Sequence, residues 1–387
     1  MKVLINAVSA KLGGAATYVQ NLARSLAGQC GDDEFVFVVP PHCAEVPVAP
    51  SVRLLESDAA SSSYASRWWW DQVTFRRLLE QEKPDVLFSS ANFGMVRCPC
   101  AQVLLVRNPI YFSREYLELV LPEKGMRLRA ETSLRRWLVC RSAASADRVM
   151  TPSTAMMDDL ARYVPLASNR RVVNPYGVPR ARINGEPQRA PASERPLRLL
   201  WVSHYADHKN LVTLLRAVKQ LRDGGHPPFE LILTLDPAAQ NGQHTPMPAA
   251  ERTLLQSLGD TVRTVGVQNY ESTWKLYAEA DLFVFPSLVE SFGHPLVEAM
   301  AAGLPIVASD IRIHREICGD AAAYFPVLNA DALAARLRAL MADAAARSAL
   351  AAWGHERVQQ FLWEDHVARL LDVLRDTAAS GRRRRAA

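Results

Sequence analysis

Short apolar runs alternate with longer amphipathic stretches along the whole chain. Val3-Leu4-Ile5 is continuous in apolar residues, as a strand buried on both faces requires. After Gly13-Gly14 the apolar positions Tyr18, Leu22 and Leu26 recur every four residues, which is the spacing of one helix face. Phe35–Val39, Val86–Phe88 and Val103–Val106 read as further buried strands, with helical stretches such as Trp70–Leu79 between them. Strands that alternate with helices predict a parallel sheet covered on both faces. Between Pro179 and Arg195 the periodicity stops in a polar, proline-rich stretch, which reads as a linker. The same pattern then restarts with Leu197–Val202 as strand, Asn210–Leu221 as helix, Phe229–Leu235 and Asp281–Phe285 as strands, and the alanine-rich Ala321–Ala352 as helix.

The pattern predicts an α/β protein of two Rossmann-like, doubly wound domains. The expected boundaries are 1–178 for the first domain, 179–196 for the linker and 197–362 for the second. Ligands of open parallel sheets sit beyond the carboxyl ends of the strands, so two such domains are expected to face a shared cleft.

Length and charge narrow the classes. At 387 residues the chain exceeds a single ordinary core, and 49% hydrophobic with 22% charged residues excludes a disordered or fibrous protein. Four of the five net positive charges come from Arg382-Arg383-Arg384-Arg385, so the body of the chain is nearly neutral and nucleic acid is not the expected partner. The stretch 379–387 reads as a basic disordered tail. The six cysteines form no C-x-x-C pair, the start reads as a strand pattern so that no leader is expected, and no segment approaches the ~20 apolar residues of a membrane span. The expected compartment is the cytoplasm, with peripheral contact on the inner face of the plasma membrane left open. No G-x-G-x-x-G occurs, which argues against a nicotinamide or flavin enzyme.

The string from Phe285 to Ser309, FPSLVESFGHPLVEAMAAGLPIVAS, carries the most chemistry. It reads as strand end, polar loop, short helix and new strand, with Pro295 in the first helical turn and Gly303 just past the helix end. A helix start of this kind binds anions through unpaired N–H groups and the helix dipole. Glu290 precedes the helix and Glu298 lies inside it, so each carboxylate is placed to accept hydrogen bonds from different sugar hydroxyls.

This wording resembles the retaining glycosyltransferases of the GT-B fold, the group 1 or alpha-mannosyltransferase-like type (glycosyltransferase family 4), whose hallmark is two glutamates with seven residues between. Glu290 and Glu298 have that spacing. Similar wording is found in Gly13-Gly14, in Asp147–Ser153, in Asn174-Pro175-Tyr176-Gly177-Val178 and at Trp363, which resembles the tryptophan opening a last helix that crosses back to the first domain; that helix is expected at 363–378. The resemblance implies that Glu290 binds the donor sugar at the catalytic centre, that Glu298 binds the ribose, and that Phe292, Gly293 and His294 hold sugar and phosphate through their backbone. It extends the substrate-binding set to Ser203, His204, Lys209, Val267, Ser291, Pro295 and Leu296, and places Gly13 and Gly14 under the donor phosphates and acceptor. Lys209 is expected to neutralise the diphosphate.

Two positions depart from the family's pattern. In Ser203-His-Tyr-Ala-Asp-His-Lys-Asn210 the usual arginine is replaced by His204, which leaves Lys209 and the helix dipole to meet the leaving group's charge. Where many members have a histidine after the strand at Val103–Val106, this chain has Arg107-Asn108-Pro109; either Arg107 or Asn108 takes over as hydrogen-bond donor, or Arg107 serves an ion pair.

The expected function is transfer of a sugar, mannose-like among the candidates, from a GDP- or UDP-sugar to a saccharide or lipid-linked saccharide with retention of configuration, in bacterial surface polysaccharide synthesis. No metal and no cofactor are expected, since the chain has no Asp-x-Asp and the diphosphate sugar is itself a substrate. The alternatives are a catalytically silent nucleotide-sugar-binding or scaffolding protein and a nucleotide-sugar epimerase on the same fold. Two stretches mix apolar and basic residues, Trp68-Trp69-Trp70 beside Arg67, Arg76 and Arg77, and the helix Arg127–Arg141. Core packing with a solvated face and attachment to a membrane surface both fit them.

Overall fold

The computed structural model describes residues 1–10, 14–28, 32–41, 49–58, 64–183, 195–226, 228–237 and 246–386. Within it the chain divides into two compact units. The first comprises Met1–Arg114, Lys124–Pro175 and Glu364–Ala387; the second comprises Glu115–Glu123 and Tyr176–Trp363. Most of the expected linker, residues 184–194, lies outside the described residues.

The first unit opens with β1 (Lys2–Asn6), α1 (Gly14–Ala27), β2 (Glu34–Val39), β3 (Val52–Glu56), α2 (Tyr64–Gln72), α3 (Thr74–Glu82), β4 (Val86–Ser89) and β5 (Ala101–Leu105). It continues with α4 (Met126–Ser145), β6 (Arg148–Thr151), α5 (Thr154–Ala161) and β7 (Arg171–Val173). The strands form one parallel sheet in the order β3-β2-β1-β4-β5-β6-β7. Val3, Leu4, Ile5, Val86, Leu87, Phe88, Val103, Leu104 and Leu105 are all 0–1% exposed, which explains why these strands read as continuous apolar runs. On α1 the predicted stripe Tyr18, Leu22 and Leu26 is buried.

The second unit contains β8 (Leu197–Trp201), α6 (Leu211–Asp223), β9 (Phe229–Leu233), α7 (Ala249–Ser257), β10 (Val262–Thr264), α8 (Tyr270–Glu279) and β11 (Leu282–Phe285). It then runs through α9 (His294–Ala301), β12 (Ile306–Ser309), α10 (Arg312–Cys318), β13 (Ala322–Phe325), α11 (Ala330–Ala342) and α12 (Ala344–Val358). Its parallel sheet has the order β10-β9-β8-β11-β12-β13. The core on one side joins Leu199, Trp201, Leu214, Leu215, Val218, Leu231 and Leu233 to Leu333 and Leu337.

The chain leaves the first unit after Pro175 and re-enters it at Glu364. In the second unit Val178 bridges Leu362, and its carbonyl accepts from the Trp363 N–H at 3.0 Å. Gly177 is required there, because a Cβ would lie 2.4 Å from the Phe361 carbonyl oxygen and from the Leu362 carbonyl carbon. In the first unit His366 Nδ1 lies 3.0 Å from the Pro175 carbonyl oxygen, and Arg369 Nε donates to Asn174 Oδ1 at 3.1 Å.

Three local expectations are corrected. Residues 379–386, expected to be disordered, continue the last helix α13 (Trp363–Ala386), since alanine and arginine are strong helix formers and only Ser380 and Gly381 interrupt them. The alanine-rich 321–352 begins with strand β13 and divides into α11 and α12 at Asp343, whose side chain accepts from the Ala346 N–H and caps the second helix. The stretch 70–79 is likewise shared by two helices, α2 and α3, with a break at Val73.

Candidate active site

In each sheet the chain reverses its direction of winding beside the first strand, and the crevice at that point is where open α/β sheets bind ligands. In the second unit the reversal lies between β8 and β11. The loops that leave the carboxyl ends of these strands carry Ser203–Asn210 and Pro286–Gly293.

The two loops are fastened by one backbone–backbone and one side chain–backbone hydrogen bond. The Leu288 N–H donates to the His208 carbonyl at 2.8 Å, and Asn210 Nδ2 donates to the Pro286 carbonyl at 3.1 Å. Asn210 takes a left-handed conformation with φ 54°, which its short polar side chain tolerates while it accepts from Thr213 Oγ1 at 2.7 Å. Ser203 is locked to the next strand, its N–H donating to Thr234 Oγ1 at 3.0 Å.

This framework places Lys209 Nζ 2.6 Å from Glu290 Oε1, with the two side chains only 13% and 12% exposed. The ammonium also lies 5.8 Å from the centre of the Phe285 ring. Burial alone raises the carboxyl pKa, but the charge and hydrogen bond of Lys209 outweigh it and hold Glu290 below the usual range. Two histidines flank the pair. His208 and His314 are both pushed down to about 4, chiefly by burial and further by the Lys209 charge, so both are neutral at pH 7. His314 Nδ1 lies 2.9 Å from the Ser309 carbonyl, which makes Nδ1 the protonated nitrogen; Nε2 has no hydrogen-bond partner among the described residues.

Gly293, at φ 85°, turns the chain into α9. That conformation is open to glycine, and an added Cβ would approach Leu296 Cδ1 to 3.0 Å. His294 and Pro295 form the first turn, where backbone N–H groups lack intrahelical acceptors and proline has none to lose. The His294 ring stacks on Tyr176 at 4.8 Å and meets Phe292 edge-on at 5.4 Å, while Phe292 itself is fully buried. Glu298, on the next turn, accepts from Tyr277 Oη at 2.9 Å. Burial raises the Glu298 carboxyl, and the Tyr277 hydrogen bond offsets this only in part.

The structure thus brings Ser203, Lys209, Glu290, Gly293, His294, Pro295, Leu296 and Glu298 onto loops and a helix start of one unit. His204 is exposed on its loop, and Val267 is 73% exposed after the positive-φ Gly266. Gly14 opens α1, and Gly13 lies outside the described residues. Arg107 and Asn108 belong to the first unit, where Asn92 Oδ1 accepts from both their N–H groups at 2.8 and 2.9 Å. The Asn108 side chain accepts from the Ile110 N–H, so it caps a short turn; the Arg107 guanidinium lies 5.5 Å from the Tyr18 ring centre. Arg107 makes no ion pair among the described residues. His208, Tyr277 and His314 are partners that the sequence pattern does not single out.

Two all-parallel Rossmann-like domains are the architecture of the GT-B fold. Residues 184–357 match the model of group 1 glycosyl transferases, and residues 13–177 match that of the glycosyl transferase 4-like domain. The chain belongs to the group 1 glycosyltransferase family.

Among curated proteins it is 33% identical over 112 residues to the O-antigen chain mannosyltransferase B of Escherichia coli, covering 29% of each chain. It is 28% identical over 280 residues to the MMP alpha-(1->4)-mannosyltransferase of Mycolicibacterium hassiacum, covering 70% of this chain and 64% of that one. The matches span less than half the length of the first curated relatives. Among solved structures, a sucrose-phosphate synthase from Thermosynechococcus elongatus superposes with a TM-score of 0.73 at 20% identity over 98% of this chain and 100% of that one. WaaG, a glycosyltransferase involved in lipopolysaccharide biosynthesis, superposes with a TM-score of 0.72 at 18% identity over 96% of this chain and 99% of that one. No helix among the described residues is long and apolar enough to cross a membrane.

Proposed function

We propose that the protein transfers a glycosyl group from a nucleoside diphosphate sugar to an acceptor hydroxyl with retention of configuration and without a metal ion. The observation that carries this reading is the Lys209–Glu290 pair, 2.6 Å apart on the two loops at the switch point and followed directly by the start of α9. An ammonium with three donors keeps two N–H groups for phosphate oxygens when one is bonded to a carboxylate. The N–H groups at Gly293 and His294 add the positive end of the helix dipole. Glu290 accepts from the donor sugar's hydroxyls, and Glu298, oriented by Tyr277, accepts from the ribose.

The acceptor oxygen attacks the anomeric carbon on the face from which the diphosphate departs. The new C–O bond forms as the bond to the diphosphate oxygen breaks, and that oxygen takes the acceptor's proton. No side chain becomes bonded to the sugar. Lys209 stabilises the charge that grows on the leaving group, which is the principal demand on the site. The relatives named as mannosyltransferases support a mannose-like sugar, and the O-antigen enzyme among them supports a role in bacterial surface polysaccharide.

The test is nucleoside diphosphate release from a panel of UDP-, GDP- and ADP-sugars with a saccharide acceptor, with and without EDTA, and NMR of the product's anomeric centre. Release that survives EDTA with a retained anomeric configuration is expected. An inverted product or restoration only by a divalent cation overturns the mechanism, and no binding or turnover of any sugar overturns the reading as a whole.

A further inference from the structure

We propose that the exposed face of α4 is a membrane-docking surface whose partner is an anionic phospholipid bilayer. Its buried face carries Thr132, Leu138, Val139, Ser142 and Ala143. That face accounts for the helix's place in the core and leaves the apolar residues on the other side unexplained. Met126 is 84% exposed, and Leu134 and Trp137 are each 57% exposed.

At about 100° per residue, Met126, Ala130, Leu134, Trp137 and Arg141 fall within a sector of about 80°, pointing away from the buried face. Arg127 and Arg129 stand at its two borders. The strip runs about 22 Å along the helix from Met126 to Arg141. A lone exposed leucine needs no explanation, whereas a line of three large apolar side chains bordered by charge does.

The charge selects the occupant. The helix sequence MRLRAETSLRRWLVCRSAAS has five arginines against one glutamate. Arg135 is paired with Glu131, and Arg136 lies over the Tyr163 ring at 4.9 Å. Arg127, Arg129 and Arg141 are exposed and make no ion pair among the described residues. Basic side chains on both sides of an apolar strip that includes a tryptophan match a bilayer interface, where the apolar groups enter the acyl boundary and the arginines meet lipid phosphates. Helix α2 adds Trp69, 67% exposed. Gln72 of α2 and Ser142 of α4 both donate to the Gly94 carbonyl at 3.2 Å, so the two helices flank the same loop. The docking does not depend on the transfer reaction proposed above.

The experiment is cosedimentation of the full chain with vesicles of phosphatidylcholine alone and of phosphatidylcholine with phosphatidylglycerol. Binding to the anionic vesicles, weakened by salt, is expected. The variant Arg127→Ser/Arg129→Ser/Arg141→Ser should lower it roughly 100-fold at low salt, and Met126→Ser/Leu134→Ser/Trp137→Ser at least about tenfold. All six positions are exposed, and an unchanged melting temperature and unchanged nucleotide-sugar binding would confirm that the variants are folded. Absence of vesicle binding overturns the proposal, as does binding that ignores both variants and disappears when Arg382–Arg385 are removed. Self-association of the wild type that the apolar variant abolishes, without vesicle binding, would assign the face to a second copy of the chain and overturn the lipid assignment.

Discussion

Replacing Lys209 by alanine should be the most damaging single change to turnover. Lys209 and Glu290 are 13% and 12% exposed and 2.6 Å apart, so removing the ammonium strands a nearly buried carboxylate. Breaking such a pair by deleting one partner costs about 3–5 kcal/mol when the remaining charge stays ionised. Glu290 relieves part of this by taking a proton, because burial raises its pKa once the lysine that holds it low is gone. The measured loss of stability should therefore fall below that range and grow with pH, since the strain returns as the carboxyl ionises. Catalysis loses a preorganised cation at the leaving group, worth about 2.7–4 kcal/mol, or about 100- to 1000-fold in turnover.

The assay is nucleoside diphosphate release at saturating donor, paired with urea unfolding at several pH values. Lys209→Met keeps most of the apolar stem beside Phe285 without the charge and should resemble the alanine variant, while Lys209→Arg should recover part of the activity. A Lys209→Ala protein with turnover within about threefold of wild type would place the phosphates elsewhere and remove the 203–210 loop from the mechanism. His204→Arg adds a cation at this exposed loop position and should be tolerated or activating.

Other consequences of the geometry can be measured separately. Tyr277→Phe removes the hydroxyl that donates to Glu298, and should raise the donor KM about tenfold with a smaller change in kcat; an unchanged KM would separate Glu298 from the donor. Glu290→Gln should lower turnover about 10- to 100-fold, and activity equal to wild type would discard its assignment to the sugar. Gly293→Ala forces a side chain into φ 85° and against Leu296, so it should cost about 1–3 kcal/mol of stability and impair donor binding together; a neutral effect on both would mean that the turn is not needed in this form. Acid should destabilise the fold as pH falls from 6.5 toward 4, because His314 and His208 stay neutral in the folded state while the unfolded chain takes up protons. His314→Leu should reduce that proton uptake at pH 5 by about one, read from the slope of unfolding free energy against pH, and an unchanged slope would refute the buried neutral histidine.

The regular part of the fold was legible because the strands that are buried on both faces leave uninterrupted apolar runs, as at Val3-Leu4-Ile5 and Leu282–Phe285. Edge strands carry weaker signals. Val52–Glu56 buries only Val52 and exposes Arg53 and Glu56, and Val262–Thr264 has none that is fully buried, so neither stands out from a loop. The alanine-rich stretch hid β13 because alanine suits a helix locally, whereas Ala322–Phe325 is committed to a strand by pairing with Ile306–Ser309, a contact that no local pattern reports.

The site divides along the same line. Glu290, Gly293, Pro295 and Glu298 occupy one contiguous turn and helix, and their roles as loop, turn, helix start and helix interior can be read from spacing alone. What determines their electrostatics comes from residues far apart in the chain. Lys209 reaches Glu290 across 81 positions, and Tyr277 reaches Glu298 across 21. His314 comes beneath the pair only because β12 lies beside β11, which brings the start of α10 under the loop that follows Phe285. Sequence spacing therefore places the two carboxylates on a loop and on a helix, while the sheet order decides the surroundings that set the charge of each. That is why Glu290, buried but paired with a cation, is held below the usual carboxyl range, and Glu298, whose burial is offset only in part by the Tyr277 hydrogen bond, is held above it.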